Sequence, residues 1–144
     1  MPTDLLSADE DGLARIATSD LLAALEGSDP EVRSLAIYAL GQRRESTAVT
    51  ALIACLADPS SFIARIAADA LEHIGSPALP ALVEALAHPD AQTRGLAARA
   101  LARLKDPAAI PALFKALDDE SAVVRHWADD GLDRMGVGQI YFKL

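Results

Sequence analysis

Cysteine, aromatic residues and long apolar runs are all scarce in this chain of 144 residues. Cys55 is the single cysteine, which excludes an internal disulfide and a cysteine cluster for zinc or iron–sulfur. No apolar run reaches the roughly eighteen residues that a membrane-spanning helix needs. The first residues are acidic and lack the basic and apolar regions of a signal peptide. We therefore expect a cytoplasmic protein that does not bind membranes.

Positive charge is also in short supply. The chain has 13 lysines and arginines against 21 aspartates and glutamates, which gives a formal net charge of −8. A nucleic-acid-binding protein normally presents a basic face to the phosphates. The charge balance therefore predicts no nucleic-acid partner.

Alanine and leucine, by contrast, are abundant and recur in a regular pattern. A leucine stands at Leu40, Leu71, Leu101 and Leu132, with separations of 31, 30 and 31 residues. In every copy another leucine lies fifteen residues earlier, an alanine four residues earlier, and an Asp or Ser eleven residues earlier. The apolar spacings of three and four predict two helices in each copy, and the Asp or Ser is a good N-cap for the second. Helix pairs that cannot bury an apolar face alone are expected to stack as an α-solenoid.

Two stretches carry a resemblance to a known family. "DPEVRSLAIYALG" (29–41) and "IPALFKALDDESAVVRHWADDGL" (110–132) resemble HEAT-like repeats of the short type named after phycobilisome lyases. We therefore expect an all-α, right-handed α-solenoid of about four two-helix HEAT-like repeats with a period of about 31 residues. The expected segments are an N-terminal cap or flexible segment (1–18), four repeats (19–45, 46–75, 76–105 and 106–136) and an apolar tail (137–144).

The tail contains Ile140, Tyr141, Phe142 and Leu144 after two glycines. One interpretation is that Gln139 to Leu144 caps the end of the solenoid, because terminal repeats otherwise expose apolar surface. The other is that it docks to a partner or to a second copy. Apart from dimerisation through this tail, we expect a monomer.

Arginine occupies the same repeat position in three of the four second helices, at Arg33, Arg94 and Arg125. We call these three residues the arginine column. Arg33 and Arg94 follow Asp29 and Asp90 by four residues, a spacing that brings side chains together on one helix face. In HEAT-like families, such positions commonly form a ladder between neighbouring repeats. The resemblance therefore implies a structural ladder of these five residues, and a basic surface for an acidic partner is the alternative.

Catalytic and metal-binding patterns are missing from the sequence. His73, His88 and His126 occupy different positions in their repeats, so converging metal ligands are not expected. Glu72-His73 reverses the His-Glu step of the HEAT-like deoxyhypusine hydroxylases and occurs once. Trp127 invites comparison with HEAT-like DNA glycosylases, but its column is expected to face the core and the chain is acidic. We expect no metal, no cofactor and no enzymatic activity.

The face of the second helices opposite the core is the candidate binding surface. In the first of them, the predicted core positions are Val32, Leu35, Ala36, Ala39 and Leu40. In HEAT-like solenoids the second helices line the concave side, and aromatic and arginine side chains are common interface anchors. The candidate protein-binding residues are Ile37, Tyr38, Phe62, Arg65, Asp69, Arg99, Arg103, His126 and Asp130.

These patterns lead to two functional hypotheses. The first is a non-enzymatic adaptor, scaffold or assembly factor that binds another protein on the concave face of the solenoid. The alternative, implied by the name of the repeat type, is a subunit of a bilin lyase-like or other enzyme-maturation complex. The chain offers no separate catalytic domain and no cysteine pair to anchor a bilin, which ranks this alternative second.

Overall fold

The computed structural model describes residues 2–137, with side chains from Leu5 onward. All regular structure in this range is helical, and no strand occurs in it. Short 3-10 turns precede three of the helices, at Ser46–Ala48, Ser76–Ala78 and Pro107–Ala109. The α-helices are α1 (Pro2–Ser7), α2 (Glu10–Arg15), α3 (Thr18–Ala24), α4 (Pro30–Gln42), α5 (Val49–Cys55), α6 (Ser61–Ile74), α7 (Leu79–Ala85), α8 (Ala91–Leu104), α9 (Ile110–Ala116) and α10 (Ala122–Arg134).

The chain divides between Ile74 and Gly75 into two compact units. In the first unit α4 packs on α6, and α3 and α5 pack on α4 and α6 respectively. In the second unit α8 packs on α10, and α7 and α9 pack on α8 and α10 in the same way. Each unit therefore contains two consecutive helix pairs whose second helices lie side by side.

The second helix of every pair begins at a capping side chain. Asp29 accepts a hydrogen bond from the Glu31 backbone N–H at 3.0 Å, and Asp90 accepts from that of Thr93 at 3.0 Å. Ser60 and Ser121 cap α6 and α10 by accepting from backbone N–H groups three residues on, at 3.3 and 3.5 Å. These bonds satisfy amides that have no partner inside the helix, so each loop gives way to a helix at the same point of the repeat.

The same four helices end near a residue with a left-handed backbone. Gly75 and Gly136 have φ of 78°. In the other two copies, Arg44 and Lys105 adopt φ of 52° and 53° without being glycine. A side chain makes this conformation unfavourable by about 1–2 kcal/mol, so two of the four helix ends carry a local cost that glycine avoids.

The core is built from the repeated leucines and alanines. Leu40, Leu71, Leu101 and Leu132 are all buried, with at most 1% of their surface exposed. Small residues bring neighbouring second helices close together. A Cβ placed on Gly41 of α4 would lie 2.8 Å from the Cβ of Ala70 on α6.

Two predictions about α4 are wrong. Ile37 was expected on the binding face, but it is fully buried. The reason is that α4 packs against α1 as well as α3 and α6, so its buried surface is wider than the repeat pattern alone indicates. Leu35 was expected in the core, but it is only half-buried, at the margin of the packed face.

The segment before the first repeat forms the two short helices α1 and α2. α1 packs against α4, and both Leu5 of α1 and Leu13 of α2 are buried. Arg43, which follows α4, donates a hydrogen bond from Nη2 to the carbonyl oxygen of Leu13. These contacts attach the segment to the first repeat. The predicted roles of Gln139 to Leu144 lie outside the described residues.

Candidate functional site

The arginine column connects loops rather than neighbouring positions on one helix. In the first unit, Nη2 of Arg33 pairs with Oδ2 of Asp58, in the loop before α6. Asp58 Oδ1 also accepts from the Ser60 backbone N–H at 2.9 Å. Burial raises the pKa of Asp58, but the hydrogen bonds from Arg33 and Ser60 outweigh it and the pKa is lowered. The carboxylate therefore stays charged and joins two consecutive helix pairs.

Arg94 occupies the equivalent place in the second unit with more contacts. Its Nε and Nη2 donate to the two carboxylate oxygens of Asp119 at 3.0 and 3.2 Å. Its Nη1 donates to the carbonyl oxygens of His88 and Pro89 at 2.9 and 3.0 Å. Arg94 is 8% exposed. One guanidinium thus holds the loop before α8 against the loop before α10, in the paired geometry that arginine allows.

The expected Asp–Arg pairs within one helix are wrong. Asp29 and Asp90 cap the backbone of their own helices, whereas Arg33 and Arg94 pair with an aspartate 25 residues further along the chain. The carboxylates of Asp29 and Asp90 are engaged by backbone N–H groups of their own helices, and the arginines pair with the loops instead. Arg125 donates from Nη1 to the Asp119 carbonyl oxygen at 2.8 Å, within its own repeat.

A groove of about 570 Å³ runs along α4 and α6 in the first unit, and we call it the α4–α6 groove. It is mostly apolar. Three helices contribute to its lining. The residues from α4 are Ser34, Leu35, Tyr38, Gly41 and Gln42, and those from α6 are Phe62, Ile66, Asp69, Ala70 and His73. Glu10 and Leu13 of α2 complete the lining.

Two aromatic side chains stand out in the groove. Tyr38 is 48% exposed and Phe62 is 63% exposed, although both are large and largely apolar. Leu35 and Ile66, which occupy the same repeat position on α4 and α6, are half-buried between the core and the groove. Apolar surface therefore continues from the core into solvent along these two helices. Such continuous exposed apolar surface is typical of binding sites.

A polar contact crosses the groove beyond the aromatic residues. Nδ1 of His73 lies 3.2 Å from the carbonyl oxygen of Asp69, and Nε2 of His73 lies 3.5 Å from Nε2 of Gln42. A carbonyl oxygen only accepts, so Nδ1 of His73 is the donor in the contact with Asp69. The contact links α4 to α6 at this point.

The charged lining of the groove is acidic. Glu10 and Asp69 are its carboxylate residues, and neither lysine nor arginine is among the residues that line it. Arg43 lines an adjoining cavity of about 230 Å³, where its guanidinium donates to the Leu13 carbonyl oxygen. The groove lining therefore combines apolar surface with two acidic side chains.

The structure brings only part of the predicted binding set into this groove. Tyr38, Phe62 and Asp69 line it, whereas Arg65 is exposed on α6 but is not among the lining residues. Ile37 lies in the core.

The remaining members of the predicted set belong to the second unit. Arg99 and Arg103 lie one turn apart on α8, and His126 and Asp130 lie one turn apart on α10. Asp130 pairs with Nε of Arg134 at 2.6 Å. The ring of His126 stacks edge-on against Trp127, with 5.1 Å between centroids.

Several groove residues were not predicted from the repeat pattern, although the sequence carried a signal for Leu35 and Ile66. The repeat position shared by Leu35, Ile66, Leu96 and Trp127 holds only large residues. The repeat positions where helices pack closely hold alanine instead. All four are half-buried, so the prediction that Trp127 faces the core is also too simple. Glu10 gave no signal in the repeat pattern, because α2 lies outside it.

Chemistry requiring a reactive thiol is disfavoured by the surroundings of Cys55. The side chain is 8% exposed, and burial raises the pKa of its thiol. A thiol with a raised pKa is a poor nucleophile at neutral pH. Among residues 2–137, no group of three or more His, Cys, Asp and Glu side chains is placed to hold a metal ion. Over the same range, no helix has the length and apolar character to cross a membrane.

Comparison with known proteins identifies the class. A family model described as HEAT repeats matches residues 18–91 and 79–138. The chain therefore belongs to the HEAT repeat family, and its all-α fold is of the α-solenoid class that this family defines. No curated protein sequence matches it significantly.

Solved structures give more specific similarities. The chain is 32% identical to a chain in the complex of CpcE and CpcF of phycocyanin lyase from Nostoc sp. PCC7120, with a TM-score of 0.60. The alignment covers 85% of this chain and 55% of that chain, so this chain spans about half the length of its relative. One engineered protein is 24% identical with a TM-score of 0.49, and the alignment covers 92% of this chain and 69% of that protein. A second engineered protein is 22% identical with a TM-score of 0.48, and the alignment covers 94% of this chain and 42% of that protein.

Proposed function

We propose that this chain is a non-enzymatic adaptor or assembly factor that binds another protein through its second helices. The observation that carries the proposal is the α4–α6 groove, where Tyr38 and Phe62 are about half or more exposed beside the apolar Leu35 and Ile66. Exposing large apolar side chains to water is unfavourable, so their clustering in one groove favours a site that a partner covers.

The rest of the predicted surface extends the proposal to the second unit. Arg99, Arg103 and His126 are long or aromatic side chains on α8 and α10, and arginine and aromatic residues are enriched among interface hot spots. Arg33 and Arg94 have a structural role, because the loops that they join engage their guanidinium groups.

The test is affinity capture followed by reconstitution with the purified partner. A protein recovered from the native host with the wild-type chain should be lost with a Tyr38→Ala, Phe62→Ala double variant. Binding measured by calorimetry should weaken by about 1–2 kcal/mol for each anchor truncated. Far-UV circular dichroism should remain unchanged, because both side chains project from the packed core.

Two controls define what would contradict the proposal. Leu6→Ala removes a comparably exposed apolar side chain, at 46%, which does not line the groove. Glu84→Ala with Lys115→Ala removes exposed charges from the first helices α7 and α9. Either control weakening binding as much as the groove variant would contradict the assignment of the site.

A second candidate function follows from one comparison. The similarity to a chain of the CpcE and CpcF complex, at 32% identity and a TM-score of 0.60, favours a role as a subunit of a lyase-like complex. In that case the chain would act with a second protein, because its relative is solved as a complex of two. The arrangement of α4 and α6 would then serve subunit assembly, and a catalytic contribution would come from the assembled complex.

Co-expression separates the two functions. The chain would be produced with a phycocyanin apoprotein, a bilin source and each candidate partner in turn. Covalent chromophore on the apoprotein, measured by visible absorbance after denaturation, supports the lyase-associated function if it depends on this chain. The adaptor function is supported if the chain forms a stable colourless complex with one protein and if chromophore attachment is the same with and without the chain.

A further inference from the structure

Each of the two units contains an ion pair that joins its own two helix pairs. In the first unit, Arg33 of α4 pairs with Asp58. In the second unit, Arg94 of α8 pairs with Asp119, which again comes 25 residues after the arginine. The four side chains are 10% to 19% exposed, so water and salt screen these pairs only weakly. Each ion pair therefore links two consecutive helix pairs inside one unit.

The corresponding positions on either side of the boundary between the units hold residues that cannot form this ion pair. Ala64 of α6 has the repeat position of the two arginines, and His88 has that of the two aspartates. The alanine side chain has neither a charge nor a hydrogen-bond donor, and a neutral histidine has no carboxylate to offer an arginine. Both partners of the ion pair are thus replaced together between the second helix pair and the third.

His88 nevertheless keeps the other role of the aspartates at its repeat position. Asp58 and Asp119 each accept a hydrogen bond from the backbone N–H two residues later, at 2.9 and 2.8 Å. Nδ1 of His88 accepts from the Asp90 backbone N–H in the same way, at 3.0 Å. The turn before the second helix is therefore preserved in the third pair, and only the residues that would link it to the second pair are changed.

The size of the units and the backbone at their boundary point in the same direction. Each unit has about 70 residues, a size at which many domains fold alone. The chain passes from one unit to the next at Gly75, with φ of 78°, and glycine has the widest range of backbone conformations. In repeat proteins, cooperativity depends on the interaction between neighbouring repeats. The boundary without its ion pair is therefore the place where cooperativity is expected to break.

We propose that the protein folds as two cooperative units that meet between Ile74 and Gly75, so that each unit unfolds in a step of its own. The replaced ion pair at Ala64 and His88 is the cause of this independence. A ligand that binds one unit then stabilises that unit and leaves the other to open separately.

The single tryptophan makes the test possible in the full chain. Trp127 lies in α10, so its fluorescence reports on the second unit, whereas far-UV circular dichroism reports on both. Leu40→Ala in α4 and Leu101→Ala in α8 are matched variants, because both leucines are fully buried at the same repeat position. In urea, Leu101→Ala should lower the midpoint of the Trp127 transition by about 1 M or more. Leu40→Ala should leave that midpoint unchanged and lower the midpoint of the remaining circular dichroism change.

One result in each of two measurements would overturn the proposal. The first is a Trp127 midpoint that Leu40→Ala lowers as much as Leu101→Ala does, because the chain would then unfold as one unit. The second measurement is hydrogen exchange of the Leu40→Ala variant, read by mass spectrometry of its peptides. Protection should be lost in α4 and α6 and kept in α8 and α10, even where the substitution unfolds the first unit completely. Loss of protection in all four helices would overturn the proposal.

A second set of variants tests the cause. Ala64→Arg with His88→Asp supplies both residue types of the ion pair. Ala64→Met with His88→Asp is the control, since it adds a long side chain without the positive charge. In the arginine background, adding Leu40→Ala should lower the Trp127 midpoint, because the two units are then coupled; in the methionine background it should not. If the two backgrounds respond alike, the replaced ion pair is not what separates the units.

Discussion

Replacing Gly41 with alanine should destabilise the first unit through one steric contact. Gly41 lies in the last turn of α4 and faces Ala70 of α6. A Cβ at this position would lie 2.8 Å from the Ala70 Cβ and 2.9 Å from its Cα. Carbon atoms in contact are normally about 3.5–4.0 Å apart, so α4 and α6 would have to separate. Because the clash involves backbone as well as side chain, a rotamer change cannot relieve it.

The expected magnitude follows from two opposing effects. Overpacking a well-packed interface costs about 1–3 kcal/mol, and a backbone clash belongs in the upper part of that range. Alanine stabilises a helix relative to glycine by up to about 1 kcal/mol, and by less in a last turn such as that of Gly41. We therefore expect Gly41→Ala to lower the free energy of unfolding by about 1–2 kcal/mol.

The second unit suggests how to rescue the variant. At the corresponding contact between α8 and α10, the larger residue is Ala102 and the glycine is Gly131. A Cβ on Gly131 would lie 3.0 Å from the Ala102 Cα. The glycine thus lies on the earlier of the two helices in the first unit and on the later of the two in the second unit. Ala70→Gly alone should cost about 1 kcal/mol of helix propensity, but combined with Gly41→Ala it should return stability to within about 1 kcal/mol of wild type.

The assay is a double-mutant cycle from urea unfolding followed by circular dichroism. The two substitutions should be coupled by about 1–3 kcal/mol in the stabilising direction, since each removes the reason for the other's cost. Additive effects, or a Gly41→Ala variant as stable as wild type, would refute the assignment of this contact as the constraint on helix spacing. The m-value should stay constant, which shows that the denatured state is unchanged.

Three further predictions concern the fold. Leu101→Ala should lower the free energy of unfolding by about 2–5 kcal/mol in urea titrations, because the side chain is fully buried; an unchanged midpoint would contradict its core position. Lys105 and Gly75 both have positive φ, so Lys105→Gly should raise stability by up to about 1 kcal/mol in thermal unfolding and Gly75→Ala should lower it by about 1 kcal/mol or more. A less stable Lys105→Gly variant or a more stable Gly75→Ala variant would contradict the left-handed backbone at these helix ends. The lowered pKa of Asp58, paired with Arg33, contributes stability that is present above the unfolded-state pKa near 4 and is lost as pH falls below it. Unfolding free energies measured from pH 6 to pH 2 should therefore fall less steeply in Asp58→Asn, and parallel curves would contradict the pairing.

The sequence predicted the helix pairs because their signals are local and repeated. Buried leucines such as Leu101 and capping residues such as Asp90 recur at fixed positions, and each acts within its own helix or turn. The period thus indicated where helices begin and which residues are buried, without knowledge of the contacts between repeats.

The features that were missed depend on contacts between elements. Ile37 is buried because α4 packs against α1, a helix outside the repeat pattern. Arg33 pairs with a loop 25 residues away, and the nearer Asp29 was the wrong partner because it caps its own helix. The groove beside Leu35 appears only when α4 and α6 are set side by side. The periodicity of a single helix therefore could not predict which side chains contact a neighbouring helix or loop.

The alternation of glycine and alanine at the contact between second helices bears on engineering with these repeats. Averaging the four copies into one consensus unit would place the commonest residue, alanine, at the Ala70 and Gly131 position. A chimera that joined the α8 of one pair to the α6 of another would set Ala102 against Ala70, and the reverse exchange would set Gly41 against Gly131. The first would be overfilled and the second would leave a void. The natural building block for extending or shuffling this protein is therefore two consecutive repeats, and single repeats are not interchangeable parts.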